Sequence, residues 1–478
     1  MSTSIPFDSF ATLLGPKGLI TDADAIAPWL TDWRGRYHGA AAAMLAPANT
    51  QEVAGCVKIA AEHRIALVPQ GGNTSMVGGA TPPADGRALI LSLRRMNAIR
   101  SISAAANQAV CEAGVILSTL HEAAEAVDRR FPLSLGAKGS ATIGGLISTN
   151  AGGTQVLRHG TMRGLVEGLE AVLPDGSIYD GLVPLKKDNR GYDLRHLLIG
   201  AEGTLGVVTA ATLKLAPAMT RSTTAWVGVA SPQDALDLLR FVESQLGPVI
   251  EGFEIVAADC LAHVLAHIPD TRAPLATQAA WHVLIEADLS GFAPDAPDPL
   301  ERALGGFLER GGALDAVLAQ NRAQAEAFWR LRESISEAER ADGPALQYDI
   351  SVPVAGMPAF MTDGARAIET AFPGTTTASF GHLGDGNVHF HVRAPVKGPE
   401  GRKWIEEQGK TVSRAVHDAV VAAGGSISAE HGIGQMKRAE LGRLSSPARI
   451  GALRAIKTAL DPLGIMNPEK LIPLASEG

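Results

Sequence analysis

The sequence predicts an α+β protein of two or three domains, and three observations carry this prediction. A chain of 478 residues is longer than one ordinary hydrophobic core supports. The first half alternates short strands and helices with an unusual density of glycine. The second half places strands and helices in the order typical of an antiparallel sheet with helices on one face.

Helix-capping residues and turn residues indicate where the helices and strands of the first half begin and end. Asn49, with Glu52 three residues later, predicts a capped helix start, and the apolar residues that follow have a helical period. Pro174-Asp175-Gly176 predicts the turn of a hairpin. Apolar runs bounded by turn residues predict strands at 66–69, 88–93, 108–113 and 206–215, and a helix at 116–127.

A second unit is predicted to begin near Arg221. Ser231 followed by Pro232 is typical of a helix start, and that helix is expected to reach Leu246. The other predicted strands are 223–229, 249–256, 282–287, 347–352 and 375–382, and the other predicted helices are 299–310, 321–340 and 446–460.

The net charge, the cysteine count and the lengths of the apolar runs limit the classes of partner and the cellular compartment that we expect. A net charge of -8 gives no reason to expect nucleic acid or an anionic membrane as partner. Cys56, Cys111 and Cys260 are odd in number and form no Cys-x-x-Cys pair, which argues against a disulfide framework. No apolar run reaches the length of a membrane span, and residues 1–18 show no targeting pattern. We therefore predict a cytoplasmic setting.

Three glycine-rich runs, at 69–79, 136–153 and 200–206, stand out in the first half. Glycine reaches positive φ without steric cost, so consecutive backbone N–H groups can converge on a phosphate. Neither a Gly-x-Gly-x-x-Gly fingerprint after a first strand nor a P-loop is present. Turns and tight packing explain one such run, whereas three in one half favour a bound ligand.

A histidine-rich constellation lies near the C-terminus. His382 and His389 flank Gly384-Asp385-Gly386-Asn387, which can reverse the chain so that both rings face one point. Glu430 and His431 lie in a second glycine-flanked loop. Two imidazoles and a carboxylate are a usual set of ligands for a catalytic divalent metal, with His431 as a candidate base. The alternative is a pair of polar histidines beside a turn.

The three runs resemble the FAD domain of the vanillyl-alcohol-oxidase-type flavoproteins, in their FAD-linked oxidase branch. The resemblance extends from about residue 47 to residue 473. It implies an FAD-binding domain over 1–217, an α+β substrate (cap) domain with an antiparallel sheet over 218–425, and a small helical C-terminal part over 426–478 that packs back on the FAD domain. The implied FAD contacts are Pro69, Gln70, Gly71, Gly72, Asn73, Thr74, Ser75, Gly136, Gly139, Thr142, Gly145, Ser148, Asn150, Gly153, Glu202, Gly203, Thr204, Gly206 and Val207. No His or Cys lies between residues 69 and 79, so we expect noncovalent FAD.

The resemblance also implies roles for the histidine constellation. His382, His389 and Glu430 would bind Zn or a similar divalent ion, which chelates a 2-hydroxy acid and lowers the pKa of its hydroxyl. His431 would take the hydroxyl proton while hydride passes from Cα to flavin N5. Asp385 is either a turn former or a partner of a metal-binding histidine.

Four residues are expected at the substrate. Arg332 and Ser336 are four apart on the predicted helix 321–340, and the matching arginine of the D-2-hydroxyglutarate dehydrogenases binds substrate. The alternative for Arg332 is a solvated helix charge. Gln347 replaces a family lysine and His391 replaces a family asparagine, which weakens the case for a second carboxylate on the substrate. His263, His267 and His417, and by residue pattern His391, are interpreted as surface or core histidines without a specific partner.

The predicted activity is oxidation of a D-2-hydroxy acid to the 2-oxo acid, with D-2-hydroxyglutarate as first candidate. D-lactate or another short or apolar hydroxy acid is the alternative, as is a glycolate-oxidase-like flavin subunit. An oxidase that uses O₂ and a flavin-binding subunit without activity also stay open. The expected electron acceptor is an electron-transfer flavoprotein or a quinone-linked carrier, because the chain has no nicotinamide fingerprint. A homodimer is the expected assembly.

Overall fold

The structure is a computed structural model that describes residues 5–293 and 295–473. The start of the predicted FAD-binding domain, residues 1–4, and the end of the predicted C-terminal part, residues 474–478, lie outside the described residues. The chain divides into two compact units. The first unit contains Met1–Gly153, His159–Ala218 and Glu430–Gly478, and the second contains Thr154–Arg158 and Met219–Ala429.

The first 218 residues contain short strands and helices in alternation. The strands are β1 (Leu19–Ile20), β2 (Met44–Leu45), β3 (Ala66–Gln70), β4 (Ala88–Ser92), β5 (Ile99–Ser103), β6 (Gln108–Glu112), β7 (Arg129–Arg130), β8 (Val166–Val172), β9 (Ile178–Gly181), β10 (Val207–Lys214) and β11 (Ala216–Pro217). The helices are α1 (Phe7–Leu14), α2 (Ala23–Ile26), α3 (Thr50–His63), α4 (Leu117–Glu125), α5 (Ile143–Thr149), α6 (Val156–His159), α7 (Met162–Leu165) and α8 (Leu194–Leu198), with a 3₁₀ helix at Ala27–Trp29.

Two main sheets organise the first unit. One has the order β1-β2-β4-β3 and pairs its last three strands in parallel, and the other is the antiparallel sheet β5-β6-β10-β8-β9. The helix start at residue 49 is confirmed, because Asn49 Oδ1 accepts from Glu52 N at 2.9 Å and Glu52 Oε2 accepts from Ala48 N at 2.8 Å. Helix α3 then buries Val53, Cys56 and Val57 in the core shared with the first sheet.

The second unit contains one large sheet. Its strands are β12 (Ser222–Val229), β13 (Ile250–Ala257), β14 (Trp281–Asp288), β15 (Asp315–Leu318), β16 (Ala345–Ser351), β17 (Thr376–His382) and β18 (Asn387–Arg393). Its helices are α9 (Pro232–Leu246), α10 (Ala258–His267), α11 (Pro299–Glu309), α12 (Arg322–Glu333), α13 (Ile335–Asp342), α14 (Met357–Ala359), α15 (Ala365–Ala371) and α16 (Gly398–Ala422), with a 3₁₀ helix at Val354–Gly356 and a π-helix at Phe360–Gly364. Helices α17 (Arg438–Leu444) and α18 (Pro447–Leu460) follow in the first unit.

The sheet of the second unit is antiparallel throughout, in the order β15-β12-β14-β13-β17-β18-β16. The antiparallel sheet is as predicted, but the expectation of helices on one face is wrong. Val227 and Ile255 pack with α9 and α16 on one face, whereas their neighbours Trp226 and Val256 pack with α10 and α12 on the other. Strand alternation therefore buries both faces.

The helix predicted over 321–340 is also corrected. Ser334 adopts φ -81° and ψ -4°, so α12 ends there and α13 begins. Arg332 and Ser336 consequently lie on consecutive helices rather than on one face of a single helix. Arg332 is buried and Ser336 is exposed.

Candidate active site

A cavity of about 610 Å³ lies within the first unit, and the three glycine-rich runs form much of its wall. His431 and Glu430 also line it. The predicted FAD contacts in this wall are Pro69, Gln70, Gly71, Gly72, Asn73, Thr74, Ser75, Gly136, Gly139, Thr142, Gly145, Ser148, Glu202, Gly203, Gly206 and Val207. Apolar residues that the sequence did not single out complete it, among them Trp33, Leu93, Leu135 and Val208.

Three predicted contacts, Asn150, Gly153 and Thr204, are not among the residues that line the cavity. Asn150 has φ 51° and accepts a hydrogen bond from Arg163 N at 2.9 Å, while Thr204 Oγ1 donates to Ala201 O at 2.7 Å. A Cβ at Gly153 would lie 2.4 Å from Ser134 O. These residues shape the loops behind the wall.

The first loop contains glycine because the second loop approaches it closely. A Cβ at Gly71 would lie 2.1 Å from Thr142 Oγ1, and a Cβ at Gly72 would lie 1.8 Å from Ser140 O. Neither glycine has positive φ, whereas Asn73 does, at 53°. At Gly71 and Gly72 close approach, and not positive φ, is therefore the reason for glycine, whereas Gly78 of the same run does have positive φ, at 67°.

The cavity wall offers hydrogen-bond groups to a ligand. Within the part of the chain that the structure describes, the backbone N–H groups of residues 71–75 have no acceptor. Thr142 Oγ1 and Gln70 Oε1 are buried without a partner among these residues. Consecutive unpaired N–H groups at a concave wall suit the oxygens of a pyrophosphate, so the residues present fit FAD.

Glu202 holds the C-terminal loop at this cavity. Its carboxylate is fully buried and accepts hydrogen bonds from Ile433 N at 2.8 Å and from Gly434 N at 2.7 Å. Burial raises the pKa of Glu202, and these two N–H groups oppose that rise. Glu202 lines the cavity as predicted, but its side chain also fixes the loop that begins at Glu430 and His431.

In the second unit, the β17–β18 hairpin brings two predicted metal ligands together. His382 ends β17, residues 383–386 reverse the chain, and His382 pairs with Asn387 at the start of β18. Asp385 Oδ1 accepts from Asn387 N at 3.0 Å, which is the turn-forming role. The ring centroids of His382 and His389 are 5.5 Å apart. The reversal expected from the glycines is confirmed.

His382 is oriented by a buried ion pair. Its Nδ1 lies 2.5 Å from Glu254 Oε1, and the other oxygen of Glu254 accepts from Arg332 Nε at 2.7 Å. Burial would raise the pKa of Glu254, but Arg332 and His382 together lower it. An ionised carboxylate only accepts hydrogen bonds, so Nδ1 of His382 carries a proton and Nε2 is the ring nitrogen left to bind a metal.

His389 is partly buried beside Phe380, with ring centroids 5.0 Å apart. Burial and the nearby Arg332 lower the pKa of His389 well below its usual value, so the ring is neutral. Neutral imidazole is the form that binds metal.

Glu430, the third predicted metal ligand, is the first residue of the last segment of the first unit. It follows Ala429, whose backbone N–H contacts Asp349 O in β16 at 3.4 Å, and Asp349 is paired with His389 in the sheet. Within the second unit, two neighbouring imidazoles, of which His382 is held by a carboxylate, are donors that suit a divalent transition metal.

The predicted substrate residues are engaged with neighbours. Arg332 lies over Phe380, 4.9 Å from the ring centroid, besides its bond to Glu254. Gln347 and His391 are paired across β16 and β18, so they share the sheet face that carries His389. His391 is a buried histidine whose Nδ1 bonds the buried Glu339 carboxylate, a partner that the sequence did not identify.

Sequence reasoning missed Glu254 and Glu339. Glu254, like Glu251, interrupts the apolar strand that begins at Ile250, and a carboxylate in a fully buried strand is a signal that could have identified it. Glu339 lies in a charged helix segment where nothing in the sequence separates it from its exposed neighbours.

The fold is shared with solved structures of other proteins. An alkyldihydroxyacetonephosphate synthase aligns over 97% of this chain and 85% of its own, with a TM-score of 0.73 and 16% identity. A p-cresol methylhydroxylase aligns over 97% of this chain and 95% of its own, with a TM-score of 0.70 and 16% identity. At such low identity the likeness concerns the fold, which agrees with the predicted α+β class.

Sequence comparison identifies the family. The FAD binding domain matches residues 41–181, and the C-terminal domain of FAD linked oxidases matches residues 218–471. The chain belongs to the FAD-linked oxidases and is an FAD-dependent oxidoreductase.

Curated relatives extend over nearly the whole chain. The mitochondrial D-2-hydroxyglutarate dehydrogenase of Arabidopsis thaliana is 38% identical over 97% of this chain and 81% of that protein. The D-2-hydroxyglutarate dehydrogenase of Stutzerimonas stutzeri is 36% identical over 97% and 98%. A putative mitochondrial D-lactate dehydrogenase of Schizosaccharomyces pombe is 33% identical over 97% and 89%. Within residues 5–293 and 295–473, no helix combines the length and hydropathy needed to cross a membrane.

Proposed function

We propose that this protein is an FAD- and divalent-metal-dependent dehydrogenase that oxidises a D-2-hydroxy acid, with D-2-hydroxyglutarate as first substrate. The observation that carries the proposal is His382, with its Nδ1 held by Glu254 and its ring beside that of His389. The names of the relatives support the substrate class. FAD, when bound, supplies the electron acceptor, and a divalent ion such as Zn²⁺ supplies the acidity that lowers the pKa of the substrate hydroxyl.

The residues of the chain divide the remaining work. His382, His389 and Glu430 would hold the ion, and Glu254 would support His382 as a ligand through its bond to Nδ1. His431, in the cavity wall, accepts the proton of the substrate hydroxyl. The wall formed by residues 69–75 binds the FAD pyrophosphate through backbone N–H groups. Noncovalent FAD stays a prediction, supported by the lack of His and Cys in that loop.

The proposed substrate residues remain Arg332, Ser336, Gln347 and His391. Their side chains bear on which group the substrate carries beyond its 2-hydroxy acid end. Arg332 uses Nε for Glu254, so its Nη groups are the edge that a carboxylate would meet. Gln347 offers no cation for a distal carboxylate, which favours D-lactate or another short or apolar hydroxy acid as second candidate. The relative named a putative D-lactate dehydrogenase supports that candidate. A glycolate-oxidase-like flavin subunit is a third.

A panel of D- and L-2-hydroxy acids tests the proposal by anaerobic bleaching of the visible flavin band. We expect D-2-hydroxyglutarate to reduce the flavin fastest, D-lactate more slowly, and the L-acids not at all. Chelation of the metal should abolish reduction, and Zn²⁺ should restore it. Full reduction in a metal-free preparation would contradict the metal's role. Turnover with an artificial dye distinguishes an enzyme from an inactive flavin subunit, and peroxide formation in air identifies an oxidase.

The acceptor and the setting are proposals of the same kind. An electron-transfer flavoprotein or a quinone-linked carrier is the proposed acceptor, a homodimer is the proposed assembly, and the cytoplasm is the proposed location. Several relatives are named mitochondrial, which makes fractionation of the native protein the measurement that tests the location.

A further inference from the structure

A second group of metal-binding side chains lies in the second unit, apart from the candidate active site. His263 Nδ1 and His267 Nε2 are each 3.6 Å from Asp342 Oδ1, and one ligand atom from each residue lies within 4.8 Å of the others. The sequence named no partner for the two histidines, whereas in the structure Asp342 contacts both.

The sequence and the helix packing fix this geometry. His263 and His267 are four apart on α10, so they share one face, and their rings stack with centroids 6.2 Å apart and planes 6° from parallel. Val264 of α10 is buried in one core with Ile335 and Ala338 of α13. The helix that carries Asp342 is therefore held against the helix that carries the histidines.

The local field and the donor atoms favour a borderline divalent cation. His267 is the last residue of α10 and Asp342 is the last residue of α13, so both lie at the negative ends of helix dipoles. Bonds of about 2.0–2.1 Å to a tetrahedral Zn²⁺ place neighbouring ligand atoms about 3.4 Å apart. The observed 3.6 Å is close to that separation. Two imidazole nitrogens and one carboxylate suit Zn²⁺, Cu²⁺ or Ni²⁺ better than Mg²⁺ or Ca²⁺.

We propose that His263, His267 and Asp342 form a second, peripheral site for a divalent transition metal. The ion has three protein ligands and a fourth position open to water, because His263 and His267 are partly exposed. It joins the C-terminal ends of α10 and α13. The site is independent of the proposed catalytic function.

Lys397 is the group that competes with the metal. Its Nζ lies 2.6 Å from Asp342 Oδ1, but its side chain is 72% exposed and can turn into solvent. Metal binding therefore displaces an ammonium group from the carboxylate. Lys397→Gln removes this competitor and should tighten metal binding, which an effect on folding alone would not produce.

The test is a Zn²⁺ titration of the full-length, FAD-loaded protein after removal of metal, with a chromogenic chelator as competitor. We expect two equivalents for the wild type. His263→Ala/His267→Ala should lose one equivalent and His382→Ala/His389→Ala should lose the other, whereas His63→Ala at the end of α3 should retain both. Co²⁺ absorption, measured on the same variants, should separate the two sites by their spectra.

The outcomes divide cleanly between the two sites. Retention of the full wild-type stoichiometry in His263→Ala/His267→Ala overturns the peripheral site. A single wild-type equivalent that only His382→Ala/His389→Ala removes overturns it as well. A single equivalent that only His263→Ala/His267→Ala removes supports the peripheral site and contradicts the proposed active-site metal. Asp342→Asn should weaken binding by more than the roughly 10–100-fold that loss of an outer partner costs, and an unchanged affinity would exclude Asp342 as a ligand.

Discussion

The cavity of the first unit and the polar sheet face of the second unit, which carries Glu254, His382, His389 and His391, present different kinds of group to a ligand. The cavity wall presents backbone groups, and its glycines are present because two loops touch there: Gly72 leaves no room for a Cβ against Ser140 O. The sheet face presents side chains, and Glu254 holds His382 and Arg332 through buried charge-assisted bonds. Close backbone packing maintains the wall of the cavity, whereas buried charge-assisted hydrogen bonds maintain the polar sheet face. Different substitutions should therefore impair ligand binding in the two regions.

The largest expected effect concerns His431, the one proposed proton acceptor in the cavity wall. His431→Ala should leave FAD bound and slow flavin reduction by about 10²–10⁴-fold, because general-base catalysis contributes that much. Stopped-flow bleaching checks the rate, and the flavin content of the purified variant checks cofactor binding. His63→Ala is the control. An unchanged bleaching rate removes His431 from its role.

We expect Glu254→Gln to weaken metal binding at the polar sheet face without affecting FAD binding in the cavity. The amide keeps the size of the side chain but loses the negative charge and offers one acceptor oxygen to two donors, His382 Nδ1–H and Arg332 Nε–H, so metal affinity should fall roughly 10–100-fold. Metal titration measures the affinity, and FAD content should stay at the wild-type level. Loss of FAD together with metal would show that the two regions are not maintained separately. A melting curve shows whether the buried Arg332 tolerates the change.

We expect Gly139→Val to weaken FAD binding in the cavity without affecting the polar sheet face. No heavy atom lies within 4 Å of a Cβ at this position, so the valine side chain would occupy space next to the wall instead of clashing with the fold. We expect FAD affinity to fall by about 5–150-fold, as an overpacking cost of about 1–3 kcal/mol implies. Gly305→Val, on α11 and equally open, is the control. Unaltered FAD affinity would place residue 139 outside the binding site.

The smallest effect should come from Gln347→Lys, which sharpens the electrostatic side of the comparison. A cation on the face that carries His391 should raise kcat/KM for a dicarboxylate relative to D-lactate by about tenfold, since a hydrogen bond to a charged group is worth about 1.5 kcal/mol at the lower end of its range. Relative kcat/KM for the two acids is the measurement. An unchanged ratio would mean that residue 347 does not contact the substrate.

Local signals predicted much of the secondary structure. The capped start of α3 and the strands from Ala66 and Ala88 lie where cap residues and apolar runs placed them. Helices α10 and α16 and strand β18 were not predicted. Strand β18 is short and rich in histidine, and it is defined by its pairing with β16 and β17. Pairing partners are distant in sequence, so local propensity does not reveal them.

By itself, the sequence determined the glycine loops, the reversal between His382 and His389, and the family to which the chain belongs. These depend on residue types at short spacings, where turn chemistry acts locally. The tertiary structure alone decided that Glu254 orients His382, that Glu202 holds the loop after Glu430, and that Asp342 meets His263 and His267. Each of these contacts joins residues far apart in the chain, and a buried or clustered charge acquires its partner only when folding brings the two together.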